Sequence, residues 1–409
     1  MIHQVHAPEA DSEKLLQIVK LQLCLLESAA NVSAVASPFD GLRQSLSKIY
    51  PDPSQVEKVL KWVTRKPNLV NALDKFSNHD EADKKSFVAQ VKEDIQLLEA
   101  PVASRFQVVF DAESPDWKKE AGAFLEYFYD QFGKDNGFDT CLFPTGMVTD
   151  VYHRWHFIDG FTKANPNLHL CAVCDSTLYR TSTTELPYTS LEHYFPKSRY
   201  PHLAVHPRNL IPICPFCNSL KNDADPFGDD NLGLLGIILP YQTQHALGRQ
   251  TYVVVKPCSD RKKHPLRLEI LPNKDFPDAD TFIKNFERIY GVGKRWNNDL
   301  DWIDQHVFRR VTQFLLADVQ NGYSLEDRNT LVDRLKILMA LVSTSDMMRD
   351  PFGFATVWLL RHHIQSIEEA ADNTRVAIHE ALIGWAVEQQ KHLSALKTHS
   401  EELFNRVPS

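Results

Sequence analysis

Residues 191–221 read LEHYFPKSRYPHLAVHPRNLIPICPFCNSLK. Two features of this stretch decide the reading: the pair Cys214-Pro-Phe-Cys217 and the doublet Glu192-His193. A second pair, Cys171-Ala-Val-Cys174, lies upstream. Two residues between cysteines let both sulfurs of a turn face one ion. Four thiolates close a tetrahedral zinc site and leave no position for water, so the site holds structure and does not catalyse. The 39 residues between the pairs exceed the spacing of ordinary zinc ribbons. A substantial insert is therefore pinned at both ends by one ion. Cys24, Cys141 and Cys258 stand alone and read as small core residues.

Working outward, the chain of 409 residues is 43% apolar and 24% charged, an ordinary globular composition of two or three domains. No apolar run reaches the length of a membrane span. The opening MIHQVHAPEADSEK lacks a basic start followed by an apolar stretch, so a cytoplasmic, reducing setting is expected, in which tight cysteine pairs are metal ligands rather than disulfides. The net charge of −8 argues against a general nucleic-acid coat, yet it is uneven. Residues 1–150 hold 16 Lys+Arg against 23 Asp+Glu, residues 276–409 hold 15 against 19, and residues 151–275 hold 14 against 11. The segment with the cysteines is the only basic one, as suits a site that meets phosphate locally.

Residues 1–160 read as a helical N-terminal region. Leu15, Val19, Leu23 and Leu26 recur at helical spacing after a candidate cap at Ser12, and a further helix, DWKKEAGAFLEYFYDQFG, ends near Gly133. Across 161–275 helical periodicity fades, and LGLLGIILP and TYVVVKP read as strands. From 276 to 409 the helical pattern returns, with Asp280 as a candidate cap for TFIKNFERIYGV and Ile378, Leu382 and Trp385 on one late helical face.

The order Glu192-His193, Asn209-Leu210, C-x-x-C, Asn218, Lys221 resembles the HNH (His-Me finger) endonuclease family, over about sixty residues of the chain. The resemblance implies a fold class: mainly α with a small α+β insert, a ββα-metal module stapled by a four-cysteine zinc site between helical regions. It also implies roles. His193 would deprotonate water, Asn209 would orient His193 by a hydrogen bond, and Glu192 with Asn218 would hold a catalytic cation. Glu and Asn offer hard oxygens, which favour Mg2+, with Mn2+ second, beside the structural Zn2+. The chemistry stands without the family name: phosphodiester hydrolysis needs an activated water, which a histidine of near-neutral pKa supplies, and charge stabilisation at the phosphate and leaving oxygen, which one divalent cation supplies. Neighbours on a strand point to opposite faces, so Glu192 and His193 diverge unless the strand curls.

Lys197, Arg199, Arg208 and Lys221 are candidate phosphate contacts, which position a strand without reading bases. DRKKHPLR, residues 260–267, is the densest basic run and reads as a solvent loop that could extend such a track. His202 and His206 lie between the motif halves and either could approach a metal. In VYHRWHF, residues 151–157, the aromatic residues suit helix packing more than base stacking. The resemblance implies a nucleic-acid substrate, DNA in the first place. Helical flanks without a DNA-reading domain resemble effector nucleases of anti-phage systems of the Septu type, where a separate ATPase or sensor subunit controls the cut. Two other readings stay open: a catalytically inactive zinc module used as a binding or scaffold subunit, and a site-specific restriction endonuclease.

Overall fold

The computed structural model describes residues 3–32, 39, 41–133, 137–176, 179–180, 187–228, 233–242, 251–259, 264–276, 278–323, 328–343 and 352–369. Of the residues singled out above, Ile378, Leu382, Trp385 and the Asp260–Lys263 part of the basic run lie outside them.

The chain divides into two compact units. The first is Met1–Thr251 with Pro272–Gly291, the second Tyr252–Leu271 with Val292–Ser409. Among the described residues the first unit opens with the helices α1 (Glu9–Ala30), α2 (Leu42–Leu46), α3 (Pro53–Thr64), α4 (Pro67–Ser77), α5 (Glu81–Glu99), α6 (Asp116–Gly133) and α7 (Arg154–Ala164). Their starts follow local chemistry. Asp52 accepts from the Ser54 amide with Pro53 at the first helical position, and Asp80 accepts from the Ala82 and Asp83 amides. α1 begins three residues before Ser12, with Pro8 in the cap position. Ser12 is thus inside the helix and buried, because the carbonyl of Pro8 already accepts from the Asp11 and Ser12 amides and so starts the helix upstream of it.

Short strands β1 (Tyr179–Arg180) and β2 (Pro187–Tyr188) pair antiparallel, followed by β3 (Ser190–His193), β4 (Leu210–Ile213) and α8 (Pro215–Lys221). β3 and β4 pair antiparallel with Glu192 opposite Ile211 and His193 opposite Leu210. Leu191, Val205 and Leu210 join one apolar cluster with Leu15, Leu25, Phe76, Phe124 and Phe128, so the hairpin grows out of the N-terminal helical core. α9 (Ala279–Tyr290) closes this unit. Its cap position is Asp278, and Asp280 sits within the first turn. Of the expected strand LGLLGIILP, Leu232 lies outside the described residues, and the rest is a short 3-10 turn at Leu234–Gly236 followed by coil. A Cβ on Gly233 would meet the Ala103 and Ser104 backbone within 3 Å, and Leu234 donates to the Ser104 carbonyl. Leu234, Ile237, Ile238 and Leu239 are buried without lying in a strand, so the run is apolar because it is buried, not because it joins a sheet.

The second unit holds β5 (Thr251–Pro257) paired with β6 (Leu266–Pro272), then α10 (Val292–Asn298), α11 (Leu300–Gln320), α12 (Arg328–Leu341) and α13 (Gly353–Glu369). Asn297 clips β6 to α10 by accepting from the Leu268 amide and donating to its carbonyl. Helices predominate throughout, and among the described residues none is long and apolar enough to cross a membrane.

Candidate metal centre and polar site

The two cysteine pairs converge. The sulfurs of Cys171, Cys174, Cys214 and Cys217 are buried and lie within 4.8 Å of one another. A tetrahedron with bonds of about 2.3 Å to zinc has sulfur–sulfur edges of about 3.8 Å. The Cys174–Cys214 separation is 3.7 Å. The backbone supports thiolates here: the Cys214 amide points at Cys171 Sγ and the Cys217 amide at Cys214 Sγ, each at 3.4 Å. Sulfur–sulfur hydrogen bonds from the other three cysteines hold the Cys214 thiol far below its ordinary range. The four residues therefore fit a structural zinc ion. His3 braces the first knuckle, with Nε2 2.5 Å from Asp175 Oδ1, and Asp175 takes the left-handed conformation at φ 63° that the turn after Cys174 requires.

Glu192 and His193, adjacent on β3, point to different partners as the strand's alternation dictates. Glu192 reaches α8, where its Oε1 lies 2.8 Å from Lys221 Nζ. Both residues are buried, Lys221 at 1% exposure and Glu192 at 7%. Burial raises the Glu192 pKa, and the Lys221 ammonium offsets only part of that. Lys221 is therefore not a surface contact for phosphate. It is the internal counter-charge of Glu192.

His193 turns the other way. Its Nε2 lies 3.0 Å from the Ala204 carbonyl, and its ring meets Tyr129 edge-on at 4.1 Å between centroids. A carbonyl only accepts, so Nε2 carries the proton and Nδ1 of the neutral ring carries the lone pair. Burial takes the imidazole down to about 3, rather than the near-neutral value expected from sequence. This makes a stability prediction. Below pH 6.5 the unfolded chain binds a proton that the native ring refuses until about pH 3, so native stability falls as the solution is acidified through that window. Between pH 7 and pH 5 the wild type is expected to lose about 2 kcal/mol more than a His193→Gln variant, measured by denaturant unfolding at each pH. Equal losses would mean that the ring is not held neutral.

Asn209 does not reach His193. Its Oδ1 accepts from the Phe195 amide at 2.7 Å, and its Nδ2 donates to the carbonyls of Phe195 at 3.1 Å and Leu203 at 3.0 Å. The expected hydrogen bond to the imidazole is replaced by a clamp on the loop between β3 and β4. Sequence order could not separate the two, because one asparagine can orient a ring directly or through the main chain that carries its acceptor. Asn218 lies half-buried on α8, one residue after Cys217.

The other basic candidates are matched by acids. Arg199 pairs with Asp225 at 2.8 Å, Arg208 with Glu99 at 2.8 Å, and Lys197 lies 3.7 Å from Asp130 and above the Tyr129 ring. His202 and His206 face carboxylates of α5 rather than the cysteines: His202 Nε2 is 3.2 Å from Asp94 Oδ2 and His206 Nε2 is 3.1 Å from Glu99 Oε1. Tyr152 and Phe157 are buried in the core, while Trp155 is exposed and stacks on His153. Asp94, Glu99 and Tyr129, all on helices of the N-terminal region, surround the site without any sequence signal that would have joined them to it.

Comparison with known proteins finds a local likeness. The chain is 40% identical over 55 residues to the Septu protein PtuB of Bacillus thuringiensis, a match covering 13% of this chain and 20% of that protein. No family model matches, and no solved structure does.

Proposed function

We propose that the chain is a metal-dependent HNH-type endonuclease that hydrolyses phosphodiester bonds, DNA in the first place, and serves as an anti-phage effector under the control of a partner ATPase or sensor subunit. The observation that carries this reading is the order β3–β4–α8 on a four-cysteine frame, with Glu192-His193 on the first strand, Asn209 at the entry to the second and Asn218 on the helix. The likeness to a Septu protein supports the defence role.

In this reading Nδ1 of His193 takes the proton of the attacking water, while the Ala204 carbonyl holds the ring's other nitrogen and so fixes its aim. Glu192, through Oε2, the oxygen not engaged by Lys221, and Asn218 would hold the cation. Bound there, Mg2+ or Mn2+ supplies Lewis acidity at the phosphate and charge for the leaving oxygen. Lys221 opposes the rise that burial imposes on the Glu192 carboxyl. The Asn209 clamp keeps the loop that presents Ala204 in register with β3.

The burial of Glu192 and His193 at 7% and 8% exposure, and the pairing of Arg199 and Arg208 with acids, favour a second reading in which the module is a catalytically inactive binding platform. Cleavage of plasmid DNA and of RNA, with a series of divalent metals and with or without any ATPase or sensor subunit that co-purifies with the chain, separates the two. The proposal expects cutting that needs Mg2+ or Mn2+ and that falls at least about a hundredfold in His193→Ala, the scale of a lost general base, at unchanged zinc content. Wild-type rates in that variant would remove His193 as the base. Silence under every condition, with zinc intact, would leave the platform. Discrete fragments from long DNA would mark a site-specific restriction enzyme.

A further inference from the structure

We infer that helix α5 of the N-terminal region sets the aim of His193: Asp94 and Glu99 hold the β3–β4 loop through His202 and His206, and that loop supplies the carbonyl on which the imidazole is hung. The inference rests on the nuclease reading for its catalytic consequence, but the geometry is independent of it.

The loop from Tyr194 to Asn209 joins the two strands. Ala204, whose carbonyl accepts from His193 Nε2 at 3.0 Å, lies midway between His202 and His206. Each of these imidazoles is buried and lies within ion-pair distance of one carboxylate of the same helix, 3.2 Å for Asp94 and 3.1 Å for Glu99, a close polar contact without the alignment of a hydrogen bond. Asp94 and Glu99 are five residues apart, roughly 7.5 Å along a helix axis. Attachment at two points that far apart restrains the loop against rotation as well as translation, which a single contact would not. The carboxylates are themselves fixed. Asp94 accepts from the Gln107 and Val108 amides, each at 2.8 Å, and Glu99 also takes Arg208 Nε at 2.8 Å. His206 Nδ1 lies 3.3 Å from the Arg208 amide as its acceptor, which leaves Nε2 as the protonated nitrogen facing Glu99.

Stability alone is a poor reason for such contacts, since burying polar groups costs free energy that their mutual interaction repays only in part. Their position is informative: they bracket the one main-chain group that fixes the His193 tautomer. A misplacement of about 1 Å at a reacting group can cost on the order of a hundredfold in rate, so Asp94 and Glu99 act as positioning residues for a base they do not touch. A displacement of α5 would reach the base through them.

The test uses the full chain with 15N-labelled histidines and the variants Asp94→Asn and Glu99→Gln, with His193→Gln identifying the ring signal. Ring nitrogen shifts report the tautomer whether or not the protein cuts nucleic acid. In the wild type His193 is expected as the Nε2–H form. In each variant it is expected to become a mixture of tautomers, cleavage is expected to fall at least tenfold, and the half-saturating metal concentration and zinc content are expected to stay within twofold. A merely structural role would lower the melting temperature without moving the ring signal. Should Asp94→Asn fail to fold, Glu99→Gln carries the test, because Glu99 reaches the surface. An unchanged His193 spectrum in Glu99→Gln overturns the inference. A shifted spectrum in a protein that never cleaves upholds the hold of α5 on the ring and overturns the nuclease reading instead.

Discussion

Stripping the zinc, by a strong chelator or by Cys217→Ser, is expected to unfold the segment from the first cysteine knuckle through α8 while leaving the N-terminal helices folded. The argument is one of scale. A structural zinc ion contributes about 10–16 kcal/mol of binding free energy in small modules, comparable to or above the total stability of a domain, about 5–15 kcal/mol. The four sulfurs lie within 4.8 Å of one another, and without the ion no more than a fraction of them can stay ionised side by side. The strands offer little in exchange: β3 and β4 are four residues each. The helical core around Leu25, Phe76, Phe124 and Phe128 has its own buried surface and does not need the metal. Hydrogen exchange should therefore show lost protection across 171–176 and 210–221 after chelation and retained protection in α1, α4 and α6. Metal analysis should find one zinc per chain before treatment and none after. A native preparation lacking zinc, or a chelated protein with an unchanged exchange pattern, would sink the zinc reading.

This frame was the most legible part of the sequence, and the reason is physical. Tetrahedral thiolate coordination demands short, fixed spacings, so its signature is local. The strand carrying Glu192-His193 and the helix beginning after Cys214 follow from the same constraint. What the sequence hid was everything set by long-range burial. A lysine in a sequence reads as a surface charge, yet Lys221 is buried against Glu192. A histidine reads as near-neutral, yet desolvation takes His193 to about 3. Asn209 stands where the family pattern places it, but its amide serves the loop backbone. Asp94 and Glu99 precede His193 by about a hundred residues and belong to a helix whose pattern says only that one face is apolar. The strand at LGLLGIILP failed because an apolar run reports burial, which does not require a sheet, and the cap at Ser12 failed because Pro8 already accepts the first amides of the helix.

Removing the ammonium from α8, by Lys221→Met, is expected to destabilise the protein by about 3–5 kcal/mol, the cost of leaving one member of a buried ion pair without its partner. Glu192 already has its pKa raised by burial, with Lys221 opposing that rise at 2.8 Å. Without the opposing charge the carboxyl is expected to take up a proton more readily still, which limits the loss and makes it depend on pH. A group whose native pKa lies above its unfolded value binds the proton more tightly when folded. The variant's deficit should therefore grow as pH rises above the unfolded carboxyl's range and shrink on acidification. The double variant Glu192→Gln/Lys221→Met is expected to recover most of the loss, because it removes the uncompensated charge rather than half of a pair. Denaturant unfolding of the four proteins of this cycle, at pH 5 and pH 8, measures each term. A Lys221→Met loss below about 1 kcal/mol would mean that the pair is solvated rather than buried. Divalent cation adds a separate readout. In the proposed role, a cation at Glu192 replaces the missing charge, so millimolar Mg2+ should restore stability to Lys221→Met and not to the double variant, by the mass-action gain of a ligand that binds only the native state. If the two respond alike, Glu192 is not a ligand of the catalytic cation, and the pair with Lys221 has a structural role alone.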